Sequence, residues 1–132
     1  MTRIPIFQVD AFTSKPFAGN PAAVCLTESA PDERWMQQLA AEMNLAETAF
    51  AYPDNGQLRL RWMTPVVEVD LCGHATLATV HILKELAQRN ELPDYLQPFW
   101  KFGTVKFISR SGVLTAETNA EGITLDFPAG DV

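Results

Sequence analysis

Three residues that could do chemistry stand together in the stretch "VDLCGHATLATV", at positions 69–80, where a strand-like pattern changes to a helix-like one. Cys72, Gly73 and His74 occupy this join. The first N–H groups of a helix have no partner within the helix and attract anions such as carboxylates, and a glycine lets a ligand approach the backbone closely. The positive end of the helix dipole disfavours a cationic histidine, so we expect a neutral His74 that can accept or donate a proton. The pattern alone also allows a simpler interpretation, in which His74 only caps its own helix.

Two further side chains could move protons. Glu47 lies in "NLAETAFAY", where an apolar strand enters the core, and a buried carboxyl group can serve as a general acid/base. The pattern alone favours the alternative, a glutamate in a surface turn. Cys72 could act as a thiol acid/base because a helix N-terminus lowers a thiol pKa, although a single cysteine in an apolar run is more often simply packed.

The remaining candidates have less support from the residues. Asn20, in "FAGNPAAV", could present its side-chain amide to a ligand, or could only form a turn. His81 follows His74 by two helical turns, whereas metal-binding histidine pairs on a helix use closer spacing, so we expect His81 in the core or in a cleft wall. Cys25 and Cys72 are far apart and form no CxxC motif, so neither a metal site nor a disulfide framework is predicted.

Length and composition restrict the class of protein. The 132 residues correspond to one domain, and 47% hydrophobic with 20% charged residues allows a substantial core. A net charge of -6 without any basic run argues against nucleic acid or an anionic membrane as a partner. The sequence shows neither an apolar run of transmembrane length nor a signal-peptide pattern, and it has only two cysteines. We therefore expect a cytoplasmic protein.

The elements that must position these residues follow from periodicity and turn signals. Helices are predicted over "SAPDERWMQQLAAEMN", capped by Ser29 or Ala30, and from about His74 to Asn90. The second helix is apolar nearly all round at its start, which is typical of a helix buried on most sides. Strands are predicted at 4–12, 22–26, 48–52, 57–63, 66–70, 104–109, 112–118 and 122–127, and a linker is expected to begin within 128–132. The predicted fold is α+β, a curved and mostly antiparallel sheet wrapped around a central hydrophobic helix.

Three segments carry a resemblance to a known family. "FQVDAFTSKPFAGNPAAVC", "NLAETAF" and "RWMTPVVEVDLCGHATLAT" occur in this order and closely resemble the N-terminal half of the PhzF-like proteins of phenazine biosynthesis, relatives of diaminopimelate epimerase. The resemblance runs from residue 4 to about residue 128. It implies two similar domains with the active site in the cleft between them, no metal, no organic cofactor, and an isomerase that moves a proton between carbons of a small cyclic carboxylate.

The resemblance also implies roles for single residues. The catalytic glutamate of the family corresponds to Glu47, and the histidine of its GHATLA motif corresponds to His74. The backbone at Gly73 and His74 would hold the substrate carboxylate, and Asn20 would line the cleft. Cys72-Gly73-His74 also resembles the Cys-Gly-Asn of the epimerase branch, which leaves a cysteine-based amino-acid epimerase as an alternative. That branch uses a second cysteine from the other half, and Cys25 is not in a matching motif.

Family members are about twice as long as this chain. We therefore expect residues 1–132 to form the N-terminal domain alone, without the C-terminal domain, and to complete an active site through that domain or as a homodimer. The expected enzyme is a cofactor-independent isomerase with a small carboxylate substrate. A non-catalytic half-domain that binds a ligand or a partner remains the alternative from another class.

Overall fold

The computed structural model describes residues 4–11 and 20–127, without the side chains of Asp10, Ala11 and Asn20. Most of the predicted turn before Pro21 and the whole predicted linker at 128–132 lie outside these residues. The described elements are β1 Ile6–Ala11, β2 Asn20–Leu26, α1 Glu33–Met43, β3 Glu47–Asp54, β4 Gln57–Met63, β5 Glu68–Val69, α2 Gly73–Gln88, a 3₁₀ turn Gln97–Phe99, β6 Thr104–Ser109, β7 Gly112–Asn119 and β8 Gly122–Asp126.

The strands form one curled sheet in the order β1-β2-β3-β4-β6-β7-β8, with the short β5 paired to β4. Neighbouring strands are antiparallel except for β2 with β3 and β4 with β6. The predicted strands and both helices are present, so the expected α+β class is confirmed. No helix within the described ranges is long and apolar enough to cross a membrane.

Helix α2 packs against one face of the sheet and forms the main core with it. Its residues from Ala75 to Leu83 are buried except Leu77 and His81. On β4, the alternating Leu58, Leu60 and Trp62 are buried against this core, as the sequence pattern predicts. The buried indole N–H of Trp62 is paired in this core, since Nε1–H donates to Thr76 Oγ1 at 3.0 Å.

Helix α1 covers the opposite face of the sheet and has a core of its own. Successive residues of β2 and β3 point to opposite faces, so Cys25 and Phe50 pack with Met36 of α1 while their neighbours face α2. The predicted cap at Ser29 or Ala30 is wrong. Asp32 caps α1 by accepting a hydrogen bond from the Trp35 N–H at 3.2 Å, because its carboxylate lies three residues before that amide.

Candidate active site at the start of the central helix

The topology brings Glu47 and the start of α2 to the same end of the sheet. Glu47 is the first residue of β3, and β4 returns antiparallel so that Met63, its last residue, pairs with Thr48. The chain then passes through β5 and enters α2 at Gly73. A strand start, a strand end and a helix start therefore meet, although Glu47 and Cys72 are 25 residues apart.

Three side chains converge at this point. The Cys72 thiol donates to Glu47 Oε1 at 3.1 Å, and Cys72 Sγ lies 3.5 Å from His74 Nδ1. The remaining pair, His74 Nε2 and Glu47 Oε1, is separated by 3.7 Å. The side chains of His74 and Glu47 are only 19% and 16% exposed. The structure thus brings together three of the residues that the sequence singles out and places a proton donor, a carboxyl group and an imidazole within reach of one another.

One atom of this cluster has an unused bonding capacity. The His74 Nε2 atom is buried and has no hydrogen-bond partner among the described residues, since Glu47 Oε1 is too far away at 3.7 Å. Buried polar atoms are nearly always paired, so an unpaired one indicates a position for a ligand or a water molecule. Thr48 Oγ1 is also buried and without a partner in the described part of the chain, but the alternation along β3 directs it to the opposite face of the sheet.

The pKa of the Cys72 thiol is raised in the folded protein, whereas the position of the thiol at a helix N-terminus suggests a lowered pKa. The pKa of Cys72 is raised from 9.0 to about 12, chiefly by burial and in addition by the hydrogen bond and negative charge of Glu47. The backbone N–H groups of Ala75 and His74 act in the opposite direction. The amides of the helix start lower this pKa, as the sequence predicts, but burial outweighs them, because the free-energy cost of a buried thiolate exceeds the stabilisation that the amides supply. At neutral pH, Cys72 is a hydrogen-bond donor.

The start of α2 lacks a side-chain cap and is bordered by Phe127. Cys72 is the N-cap residue in an extended conformation, makes no side-chain capping bond, and no acidic residue follows in the first turn. A β-carbon at Gly73 would lie 3.6 Å from Phe127 Cζ, so an aromatic ring borders this start. Phe127 is 44% exposed. Sequence reasoning assigns Phe127 only to the end of a strand, because nothing in its local pattern relates it to residue 73.

The structure places two further sequence candidates, the side chain of His81 and the backbone of Asn20. His81 is not a core residue, since its side chain is 55% exposed and its Nε2 lies 3.6 Å from Glu85. The prediction that His81 lies in the core is therefore wrong, because its position in the apolar run is on the solvent-facing side of α2, and the alternative of a cleft wall stays a prediction. Asn20 begins β2, whose residue Ala22 pairs with Glu47. Its backbone is therefore at the same end of the sheet, while its side chain lies outside the described part.

Fold and site together define an α+β domain with a partly buried carboxyl–thiol–imidazole cluster at the start of its central helix. The sequence model of the family described as "Phenazine biosynthesis-like protein" (PhzC-PhzF) matches residues 9–129. The chain belongs to this family, and the resemblance seen in its motifs is confirmed.

Relatives and solved structures agree with this assignment. An uncharacterized isomerase of Halalkalibacterium halodurans is 50% identical over 132 residues, which is 98% of this chain and 45% of that protein. The phenazine biosynthesis-like domain-containing protein 1 of Mus musculus is 44% identical over 96% of this chain and 43% of its own length. The crystal structure of a PhzF-family protein of Enterococcus faecalis superposes with a TM-score of 0.72 at 41% identity, covering 89% of this chain and 41% of that one. The chain spans less than half the length of these proteins.

Proposed function

We propose that this chain carries one half of an isomerase site that moves a proton on a small carboxylate substrate, a class that includes cyclic and aromatic carboxylates. The observation that carries the proposal is the convergence of Glu47 and His74 beside the open N-terminus of α2, with 3.7 Å between their facing atoms. In the proposed reaction, Glu47 takes a proton from one carbon of the substrate and returns it to another. A carbon acid needs a base within hydrogen-bond reach of the departing proton, and this is the role that we propose for Glu47.

The substrate carboxylate is held, in this proposal, by the backbone N–H groups of Gly73 and His74. These groups belong to the first turn of α2, where the dipole favours negative charge. The same preorganised donors stabilise the negative charge that develops when the carbon loses its proton. The buried His74 Nε2 atom, which has no partner in the described residues, is positioned to bond a polar group of the substrate.

Cys72 supports a second candidate, a thiol-based amino-acid epimerase. Its thiol donates a hydrogen bond to Glu47 Oε1 at 3.1 Å, so a carboxylate lies close enough to accept the thiol proton. Burial, however, raises the Cys72 pKa to about 12, which makes thiolate formation costly in the free protein. We therefore rank the glutamate-based reaction first and assign Cys72 to holding Glu47 in place.

The other wall of the site is proposed to come from a second domain or from a second copy of this chain. The relatives are more than twice as long as the matched segment, as the 45% and 43% coverage of two of them indicates. Apolar side chains are exposed on the segment that leads into α2: Val66 is 83%, Val67 54% and Leu71 40% exposed. Light scattering at increasing protein concentration tests the homodimer. If the mass stays that of a monomer at every concentration, a second copy of this chain does not supply the second wall of the site.

Carboxylate binding tests the site itself. Benzoate titrated into ¹⁵N-labelled protein should shift the amide signals of Gly73, His74 and Ala75, whereas benzamide, which has the same ring but no charge, should shift them far less. If benzoate shifts no signal in this turn, the proposed carboxylate site is wrong.

Proton transfer is a separate measurement. Bound carboxylates with an acidic C–H should exchange that hydrogen with D₂O in the wild type, and Glu47→Gln should stop the exchange while leaving benzoate binding intact. Binding with no exchange in the wild type would favour the non-catalytic half-domain.

A further inference from the structure

We propose that Glu47, Cys72 and His74 form a binding site for a thiophilic divalent cation of the zinc type, and that the bound cation blocks the proton-transfer cluster. The binding part of this inference is independent of the proposed function. Only the blocking part rests on it. The three side chains offer one oxygen, one sulfur and one nitrogen, and these atoms all lie within 4.8 Å of one another.

The spacing of the donor atoms fits a small tetrahedral ion. Zinc bonds of about 2.0–2.3 Å place two ligand atoms of a tetrahedron roughly 3.3–3.5 Å apart. The measured separations are 3.1 Å from sulfur to the Glu47 oxygen, 3.5 Å from sulfur to His74 Nδ1, and 3.7 Å from His74 Nε2 to that oxygen. Nδ1 faces the sulfur and Nε2 faces the carboxylate, so the proposed site requires the imidazole to turn until one nitrogen meets both other donors.

The chemistry of the donors selects the ion. A thiolate and an imidazole prefer zinc-like metals, whereas magnesium and calcium prefer oxygen ligands alone. On binding, the Cys72 proton leaves to solvent as the sulfur–metal bond forms, and the thiolate and carboxylate then balance the charge of the cation. Three protein ligands leave the fourth tetrahedral position for water or a small anion.

One atom of the cluster lacks a partner that a bound ion could supply. The His74 Nε2 atom is buried and has no partner among the described residues, while the side chains of Glu47 and His74 remain partly exposed at 16% and 19%. An ion can therefore enter from solvent and satisfy an atom that the protein itself leaves unpaired. Once bound, it occupies the Glu47 oxygen that the proton-transfer reaction needs, so the occupied site is inactive.

Cobalt titration of the 132-residue chain tests the binding. Co²⁺ should bind with one equivalent and produce a sulfur-to-cobalt charge-transfer band together with the visible bands of a tetrahedral ion, and Zn²⁺ should displace it. Mg²⁺ at the same concentration should not. Absence of the sulfur band in the wild type would overturn the inference without any variant.

Variants locate the site. Cys72→Ser should abolish the sulfur band, and Glu47→Gln should weaken Co²⁺ binding by at least about tenfold, the lower end of the effect of losing even an outer-shell partner. Cys25→Ala and His81→Gln are the matched controls, because they remove the other free thiol and the other imidazole and should leave the titration unchanged. Circular dichroism establishes that each variant is folded. Binding that survives Cys72→Ser, or that disappears with either control, contradicts the inference.

The blocking part has its own readout. With Zn²⁺ bound, benzoate should still shift the Gly73 amide signal, since the fourth metal position accepts an anion, but C–H exchange into D₂O should stop and return after chelation with EDTA. Exchange that continues at full rate with one equivalent of Zn²⁺ bound would refute the blocking. Failure of Co²⁺ binding with benzoate binding intact would instead refute the metal site and leave the proposed function standing.

Discussion

Glu47 Oε1 and Cys72 Sγ lie 3.1 Å apart and form a hydrogen bond between the first residue of a strand and the residue that precedes the central helix. The bond fixes the proton on the thiol, because both the hydrogen bond and the negative charge of Glu47 raise the Cys72 pKa in addition to the effect of burial. The Glu47 carboxylate in turn accepts this bond from a neutral thiol, so Cys72 holds the carboxylate in place without neutralising its charge. That is the state a general base needs before the substrate arrives.

Replacing Glu47 by glutamine should make Cys72 more reactive. The substitution removes the negative charge that helps to raise the thiol pKa, so the pKa falls and more thiolate is present at a given pH. Alkylation by iodoacetamide, followed by mass spectrometry between pH 7 and pH 10 in a Cys25→Ala background, measures the change. Each unit by which the pKa falls raises the thiolate fraction about tenfold below the pKa.

Glu85→Gln serves as the control for this measurement, because Glu85 is an exposed carboxylate on the same helix that pairs with His81 and Arg89. Its replacement should leave the alkylation rate of Cys72 unchanged. An equal or lower rate in Glu47→Gln than in the parent would show that Glu47 does not control the thiol.

The two buried thiols predict a loss of stability at alkaline pH. Burial raises the pKa values of both Cys25 and Cys72 from 9.0 to about 12. Between these values the unfolded chain has lost its thiol protons while the folded chain keeps them, so the free energy of unfolding falls as pH rises. Their contribution is complete below about pH 9 and is lost toward pH 12, with at most about 1.4 kcal/mol per pH unit for each thiol.

Urea unfolding at pH 8 and pH 11 measures this loss. In Cys25→Ala the decrease in the free energy of unfolding between these pH values should be smaller than in the wild type, because one of the two titrating groups is absent. The decrease is measured between two pH values of the same protein, so it does not depend on the cavity that the alanine creates. A wild-type free energy of unfolding that is equal at both pH values would contradict the prediction.

The ion pair between Arg61 and Glu68 should stabilise the segment that leads into α2. Arg61 donates through Nε and Nη2 to both Glu68 oxygens at 2.8 and 2.7 Å, and the two side chains are only 14% and 16% exposed. The guanidinium lowers the Glu68 pKa. The stabilisation is therefore present above pH 4.5 and is lost as pH falls through the lowered pKa of the folded state.

Glu68→Gln should lower the free energy of unfolding at pH 7 by roughly 1.5–3 kcal/mol, the range for hydrogen bonds to charged groups. Glu85→Gln is the matched control, since it removes a carboxylate from the exposed pair with Arg89 and should cost at most about 1 kcal/mol. Urea unfolding of both variants at pH 7 provides the comparison. Equal effects would mean that the bidentate geometry has no special energetic role.

Much of the fold can be predicted from the sequence because its signals are local. The alternation of Leu58, Leu60 and Trp62 predicts a strand with one buried face, and β4 has the predicted bounds. The exposure of His81 shows the limit of the same reasoning. An apolar helix start indicates burial on most sides, but it does not indicate which side the sheet leaves open to solvent.

The candidate site could be predicted only in part. Glu47 and His74 are recognisable from their motifs, yet their 3.7 Å approach depends on β4 and β5 returning the chain to the start of β3. The Cys72 pKa could not be predicted, because a helix N-terminus is visible in the sequence while the degree of burial is not. The position of Phe127 beside Gly73 could not be predicted either, because it depends on where the last strand of the sheet ends in space.

Replacing Gly73 by alanine should separate ligand binding from stability. An added β-carbon would lie 3.6 Å from Phe127 Cζ, an ordinary contact, so the free energy of unfolding should change by no more than about 1 kcal/mol. The new methyl group, however, stands at the first residue of α2, where the proposed carboxylate approaches the backbone. Benzoate titration followed by NMR should therefore show weaker binding.

Gly103→Ala is the opposite case and serves as the contrast. Gly103 has φ +77°, and a β-carbon there would lie 2.8 Å from Thr118 Oγ1, so this substitution is strained and should destabilise the fold by about 1–3 kcal/mol. Because Gly103 belongs to the turn before β6, benzoate affinity of the folded variant should remain that of the wild type. If Gly73→Ala binds benzoate as tightly as the wild type does, the carboxylate does not approach the backbone at this glycine, and the anion site must be assigned to other residues.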